Sequence, residues 1–363
     1  MAKKELVSID SISRAAVKYN NVLRELPFYY LNETAKSLRL NIVEVEGKDV
    51  LISKRRRAGI LAPYSAGMNF SDNDKKELIK FFEATLQPEM TYAEEFDNIT
   101  NYRQKKVISN KGEMLDNKNK KHPLELLILT SLIKSYGEDV AFALFFASRD
   151  VDVKSPGTAF NGFNSKIQLL QTAGEIAVAK GNQHNTGAFA VPSSETDYTA
   201  YEKMVEFIAT SNPLLLKGEV ELRAALNPIT AARKALQNKL KYQSYPGMNE
   251  FMEKLRSDSN CPGLTLLQNE IYGSGDQLML TQPGLFDIGV SKDNDAQFVQ
   301  VRQFGRDPND VQYWIQTAYD TRINDIHPKL FRINDQINKE NSHLAGDYTL
   351  EAETPTPEPE TEE

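Results

Sequence analysis

The side chains able to do chemistry are few and scattered. The four histidines, His122, His184, His327 and His343, stand far apart. No two have the short spacing that lets one helix or turn present a pair of imidazoles to a metal. The single cysteine, Cys261, supplies neither a thiolate cluster nor an internal disulfide, so nothing points to an oxidising compartment. It is followed by Pro262-Gly263 with no adjacent base, which reads as a buried thiol. There is no Gly-x-Ser-x-Gly elbow and no Walker-type lysine loop. Gly273-Ser274-Gly275-Asp276 is glycine-rich, but it lies between expected strands, where a hairpin turn accounts for it. His184 sits in polar loop material, and His327, just before Pro328, reads as structural. The expectation is no catalytic residue, no cofactor and no metal. An enzyme whose site is assembled from across the chain is kept as an alternative.

The charged groups that do cluster are basic. Lys54, Arg55, Arg56 and Arg57 are consecutive. Residues 103–121 carry Arg103, Lys105, Lys106, Lys111, Lys118, Lys120 and Lys121 against Glu113 and Asp116, a net +5. Either stretch would lie near phosphates or pair with acids of a neighbouring chain. Neither has the aromatic interleaving of a single-strand binder. The acids concentrate elsewhere: residues 346–363 hold seven of them and no base, which is the whole of the net charge of −7. Residues 1–345 are therefore neutral, which does not suit a dedicated nucleic-acid-binding protein. The Thr-Pro-Thr-Pro-Glu-Pro run in that tail cannot bury enough apolar area to offset ordering, so disorder is expected. Its roles would be to solubilise, to repel nucleic acid or to bind a basic partner.

The chain has 363 residues, 26% charged, 40% hydrophobic and 9% aromatic, a balance ordinary for a globular protein of roughly two domains or one elaborated domain. The apolar run 141–147, extended by Val140, is far short of the ~20 residues a membrane span needs. Met1-Ala2-Lys3-Lys4-Glu5 leads into no apolar stretch, so no secretory signal is expected and a cytoplasmic product is the default. Ile9, Ile12, Ala16, Tyr19, Leu23 and Leu26 recur at helical spacing, with Ser8 as cap and Pro27 as stop, predicting a helical arm over 9–26. Residues 41–46 and 49–52 read as a hairpin about Gly47-Lys48. Leu78, Phe81, Phe82 and Leu86 predict a helix over 74–86, and Thr91-Tyr92-Ala93-Glu94 a capping box for another. Residues 39–100 contain few large apolar side chains for their length and suit an extended excursion.

Pro123 opens a strongly apolar stretch to Ser148, read as a helix of about 39 Å that Gly137 bends or divides. Glu125, Lys134, Glu138 and Asp139 exclude a membrane reading. Further on, Thr199-Ala200-Tyr201-Glu202 caps a helix to about Thr210, and 214–224 reads as a strand. Asn227-Pro228 starts another helix. Strands are expected at 264–272, 277–281, 297–304, 311–320 and 328–333, with Val311, Tyr313, Ile315 and Tyr319 on one face. No repeat is visible, and the regular βαβ alternation of a doubly wound fold is absent, so the class is α+β.

This order of elements, together with short motifs, resembles the major capsid proteins of tailed bacteriophages, which share the Johnson fold. Ala159-Phe160-Asn161-Gly162-Phe163 looks like the Asp-Gly-Phe segment after the spine helix, with Asn161 where Asp is common and Ile167 as the apolar position. The stretch Gly275 to Leu285 (GDQLMLTQPGL) is similar to one in capsid proteins of gut phages of Bacteroidetes-type hosts, although Gln282-Pro283-Gly284 departs from the usual Pro-Lys-x-Asn. The resemblance implies an N-terminal helical arm (1–38), an extended loop (39–104) and a peripheral domain with the long spine helix (105–165). An axial domain (166–289), C-terminal peripheral strands (290–345) and a disordered acidic tail (346–363) would follow. It implies hexamers and pentamers of an icosahedral head enclosing double-stranded DNA, located in the virion and assembled in the host cytoplasm. The partners would be the chain itself, with portal, scaffolding and decoration proteins and non-specific DNA contact, and no membrane. Lys54–Arg57 and the 103–121 cluster would face either DNA or an adjacent subunit. An encapsulin-like nanocompartment shell is the alternative on the same fold.

Overall fold

The computed structural model describes residues 31–56, 79–98, 107–108, 114–115, 124–241, 245–268, 275–291, 298–305 and 310–337. The expected arm helix 9–26, most of the basic stretch 103–121 and the acidic tail lie outside these residues. The helices are α1 (31–38), α2 (Leu124–Phe146), α3 (Phe163–Thr172), α4 (Thr199–Ala209), α5 (Pro213–Leu216), α6 (Leu226–Leu240) and α7 (Met248–Asp258). The strands are β1 (Asn41–Val45), β2 (Asp49–Arg56), β3 (Ile79–Leu86), β4 (Glu89–Asn98), β5 (Val107–Ile108), β6 (Met114–Leu115) and β7 (Gln183–His184). They continue with β8 (Val220–Ala224), β9 (Leu264–Gln268), β10 (Leu278–Thr281), β11 (Phe286–Ser291), β12 (Phe298–Gln303), β13 (Asp310–Ile323) and β14 (Phe331–Asn334). Helices and sheets are both present without βαβ alternation, so the fold is α+β.

The first sheet is organised by β13, the longest strand. One edge of β13 pairs in succession with β12 and β11, the other with β4, and β1 joins β11 in parallel. Val311, Tyr313, Ile315, Thr317 and Tyr319 are buried on one face of it, as period-2 alternation demands. Helix α2 belongs to the core on this side, with Leu129, Ile133, Tyr136 and Val140 buried at 3–4 spacing. It runs unbroken through Gly137 for 23 residues, about 34 Å. The Tyr136 hydroxyl shares a buried hydrogen-bond cluster with Thr91 of β4 and Thr317 of β13.

The second sheet, β7-β14-β10-β8-β9, divides two cores. Val220, Leu222 and Ala224 of β8 and Leu278 and Leu280 of β10 pack with α4, α6 and α7, whereas Met279, Phe331 and Ile333 belong to the first core. Every residue of β8 is buried, the mark of a strand covered on both faces. Arg223, fully buried, is accommodated because each contact it makes is polar or stacked. It donates to Leu38 O (2.6 Å), Arg39 O (3.3 Å), Thr281 Oγ1 (3.3 Å) and Glu221 Oε2 (2.6 Å), and its guanidinium lies 4.7 Å from the Phe286 ring centroid. A buried charge survives only when paired and hydrogen-bonded in this way. Arg223 thereby ties α1 to the second sheet.

The Phe160–Phe163 segment explains how α2 turns into α3. Gly162 is the N-cap of α3 and donates to Ala147 O at 2.8 Å. A Cβ there would stand 2.6 Å from Ala143 O and 2.9 Å from Leu144 O, so only glycine lets the chain pass against the end of α2. Phe160, Phe163 and Ile167 are buried, and the Asn161 side chain accepts from Arg149 N.

Several local expectations are corrected. Residues 79–86 form strand β3 rather than a helix: Phe82, Ala84 and Leu86 alternate toward the core, while the pairing Asp49↔Leu86 through Arg56↔Ile79 fixes the strand. The expected hairpin 41–52 does not form, because β1 pairs with β11 and β2 with β3. Thr91-Tyr92-Ala93-Glu94 lies within β4, paired along its length with β13. Residues 213–216 are helical, so only the end of the expected 214–224 strand exists. Helix α4 starts where expected, but the Asp197 carboxylate accepts from Thr199 N in place of a capping box. Helix α6 is entered at Ala225 rather than at Asn227. Strands β9 and β10 flank β8 instead of pairing with each other, so no hairpin joins them.

Candidate assembly surface

Strands β2 and β3 form a two-stranded ribbon whose two faces differ. Opposed residues of an antiparallel pair share a face. On the inner face, Asp49/Leu86, Leu51/Ala84, Ser53/Phe82 and Arg55/Lys80 are opposed. Leu86 is fully buried, and its side chain fills the place a Cβ on Gly289 of β11 would need, with Cγ 2.7 Å from that position. On the outer face, Val50/Thr85, Ile52/Glu83, Lys54/Phe81 and Arg56/Ile79 are opposed. There Ile52 and Phe81 are each 54% exposed, and Val50 and Ile79 are exposed too. An isolated two-stranded ribbon is marginal in water, and this one leaves Val50, Ile52, Ile79 and Phe81 of its outer face, and Leu51 of its inner face, uncovered by the described residues.

Ionic contacts hold the ribbon to the body. At its base, Arg322 donates to Asp49 Oδ2 (2.6 Å) and to Asp287 Oδ2 (2.7 Å). Farther along, Arg55 reaches Asp325 Oδ1 at 3.0 Å and Glu175 Oε2 at 3.6 Å, and its guanidinium covers Phe82 at 4.6 Å. Glu175 also receives Lys180 at 2.8 Å and Lys80 at 2.9 Å. Hydrogen bonds from those two lysines hold its carboxyl down at about 2.

These contacts locate the basic residues singled out in the sequence. Arg55 is half-buried and engaged by carboxylates of its own chain; Lys54 is exposed on the outer face beside Phe81. Arg56 lies in β2, and Arg57, Arg103, Lys105, Lys106, Lys111, Lys118, Lys120 and Lys121 lie outside the described residues. Sequence reasoning missed Asp325, Glu175, Asp49 and Asp287 as partners, since lone acids carry no local signal.

A second exposed apolar surface lies on the outer face of the first sheet, opposite α2. Met90, Tyr92 and Phe96 alternate along β4 at 50–53% exposure. Tyr92 stacks on Trp314 at 5.7 Å between centroids, and Phe96 meets Phe304 at 4.5 Å. The alternation of Met90, Tyr92 and Phe96 was the available signal, masked by the apparent capping box.

The isolated polar groups behave structurally. Burial pushes the Cys261 thiol up, away from a reactive thiolate. His327 accepts from Lys329 N through Nδ1, and burial lowers its titration. His184 is likewise lowered by burial, then by the nearby Arg332 guanidinium. Among the described residues no group of three or more His, Cys, Asp or Glu side chains is arranged to hold a metal ion, and no helix is long and apolar enough to cross a membrane.

No family model and no curated protein matches the chain in sequence. In structure it is similar to a chain from the capsid of Myoviridae phage XM1, at 10% identity over 83% of this chain and 90% of that one, with a TM-score of 0.49. It is similar to a capsid chain of a native GTA particle at 12% identity, over 84% and 89% of the two chains, with a TM-score of 0.49. A third likeness is to a chain of a virus-like particle from Pyrococcus furiosus, at 12% identity over 86% and 98%, with a TM-score of 0.38.

Proposed function

We propose that this chain is a shell-forming structural protein, the major capsid protein of a tailed phage, building hexamers and pentamers of an icosahedral head around double-stranded DNA. The carrying observation is the ribbon β2–β3. It packs Phe82, Ala84 and Leu86 of one face on its own body and leaves Val50, Ile52, Ile79 and Phe81 of the other exposed, with Leu51 exposed beside them. An exposed apolar patch of this kind marks an interaction surface, and repeated modest contacts between identical copies are how closed assemblies are built. The α+β architecture, with a long helix under one sheet and a separate second core, is the arrangement the sequence resemblance implies.

The finer assignments belong to the same proposal: the arm 1–38, loop 39–104, peripheral segments 105–165 and 290–345, axial domain 166–289 and tail 346–363. So do virion location, assembly in the host cytoplasm, portal, scaffolding and decoration partners, and the absence of catalysis. In this reading Lys54 and the 103–121 cluster face DNA or an adjacent subunit, whereas Arg55 serves its own chain. The Bacteroidetes-type host group rests on the 275–285 stretch alone.

Electron microscopy after overexpression tests the proposal. Hollow closed particles are expected from the wild type, and Ile52→Asp with Phe81→Asp, folded by circular dichroism, should give none. A wild type that stays monomeric at high concentration would overturn it. Particles enclosing a co-expressed enzyme instead of DNA would convert the reading to a nanocompartment shell.

A further inference from the structure

The aromatic face of the first sheet has the chemistry of a peptide groove. Tyr92 and Trp314 stack, Phe96 and Phe304 meet with their rings tilted by 57°, and Met90 extends the row. Two cations stand over the rings: the Lys154 ammonium 5.9 Å from the Tyr92 centroid and the Arg302 guanidinium 5.7 Å from that of Trp314. Glu94, on the same face, lies 4.0 Å from Lys154 and accepts from Gln312, and Asp310 stands at the end of the row beside Phe304. Aromatic slots fringed by positive charge recognise extended proline-containing segments bearing carboxylates, because a polyproline helix is already ordered and presents flat rings.

The chain carries such a segment. Pro355, Pro357 and Pro359 alternate with Thr354, Thr356, Glu358 and Glu360 inside the stretch that holds the entire net charge of −7. Seventeen residues lie between Ile337, the last described, and Pro355, enough to span about 60 Å when extended. That exceeds the length of α2 beneath the sheet.

We propose that residues 354–360 dock on this face. The prolines lie against Tyr92, Trp314, Phe96 and Phe304, and the glutamates meet Lys154 and Arg302. The inference stands apart from shell formation, since it concerns how one chain covers its own sheet.

Trp314 is the single tryptophan of the chain, so acrylamide quenching of its fluorescence in the full chain reads the face directly. Protection is expected in the wild type. It should be lost on Pro355→Ser with Pro357→Ser and Pro359→Ser, on Lys154→Glu, and in about 0.5 M salt, where charges are screened within a few ångströms. Combining Lys154→Glu with Glu358→Lys and Glu360→Lys should restore it. Quenching of the triple proline variant equal to the wild type would overturn the proposal. So would protection that falls on dilution while ignoring the tail variants, because a second copy would then be the occupant.

Discussion

Asp139 on α2 is a half-buried carboxyl that stands near two other carboxylates. Burial first, then the Glu138 and Glu95 carboxylates, raise it from its ordinary 3.8 to about 6. The folded state therefore binds this proton more tightly than the unfolded chain does. The stabilisation it brings is complete below the unfolded value near 3.8, fades as pH rises, and is gone above about 6. The shift of about two pH units corresponds to about 3 kcal/mol; solvent reaching the partly exposed carboxyl screens this to roughly half, about 1.5 kcal/mol. Asp139→Asn removes the titration and keeps the shape. In urea unfolding of dilute, unassembled chain, the variant should gain on the wild type by about 1.5 kcal/mol between about pH 4 and pH 7.5. Titrating groups that do not interact with Asp139 cancel in this double difference, and any change in Glu95 or Glu138 is part of the same coupling. A variant no better at pH 7.5 than at pH 4, or worse, would refute the argument that like charge and burial strain this position.

Gly162→Ala should destabilise by about 3 kcal/mol or more, because the new Cβ meets the backbone carbonyls of Ala143 and Leu144 rather than a yielding side chain; thermal or urea unfolding checks it, and a loss under about 1 kcal/mol would show that the α2–α3 turn gives way. Arg55→Glu should place a third carboxylate beside Asp325 and Glu175 and release the ribbon, read as faster proteolysis within residues 49–86 while the second core stays intact by hydrogen exchange; unchanged cleavage would mean that the contacts at the base, Leu86 on Gly289 and Arg322 on Asp49, hold the ribbon alone.

What was legible in the sequence was what neighbours along the chain decide. Helix α2 shows itself through a long apolar stretch with buried residues at 3–4 spacing, and β13 through the alternation of Val311, Tyr313, Ile315 and Tyr319. The Phe160–Phe163 turn was recognisable because glycine and two large rings sit where the backbone must pass closely. What failed was decided by distant partners. Phe81, Phe82 and Leu86 fit a helical stripe as well as a strand, and only pairing with β2 chooses between them, since strand preference is set by cross-strand context. Strand β1 looks contiguous with β2, yet its partner is β11, with Asn41 opposite Asp287. The basic run invited an intermolecular reading because the acid that holds Arg55, Asp325, is 270 residues away.

The ribbon is fastened in two places. Leu86, seated against Gly289 and backed by the Arg322–Asp49 pair, gives it a pivot at the base, whereas Arg55 and Lys80 secure it farther along through Glu175 and Asp325. Partly exposed ion pairs are worth about 0.2–1 kcal/mol each, so the outer fastening is light. Glu175 stays ionised down to about 2, so mild acidity leaves its lysine pairs in place. Dissolved ions, or a better set of contacts offered from outside, can swing the ribbon free without disturbing its hinge.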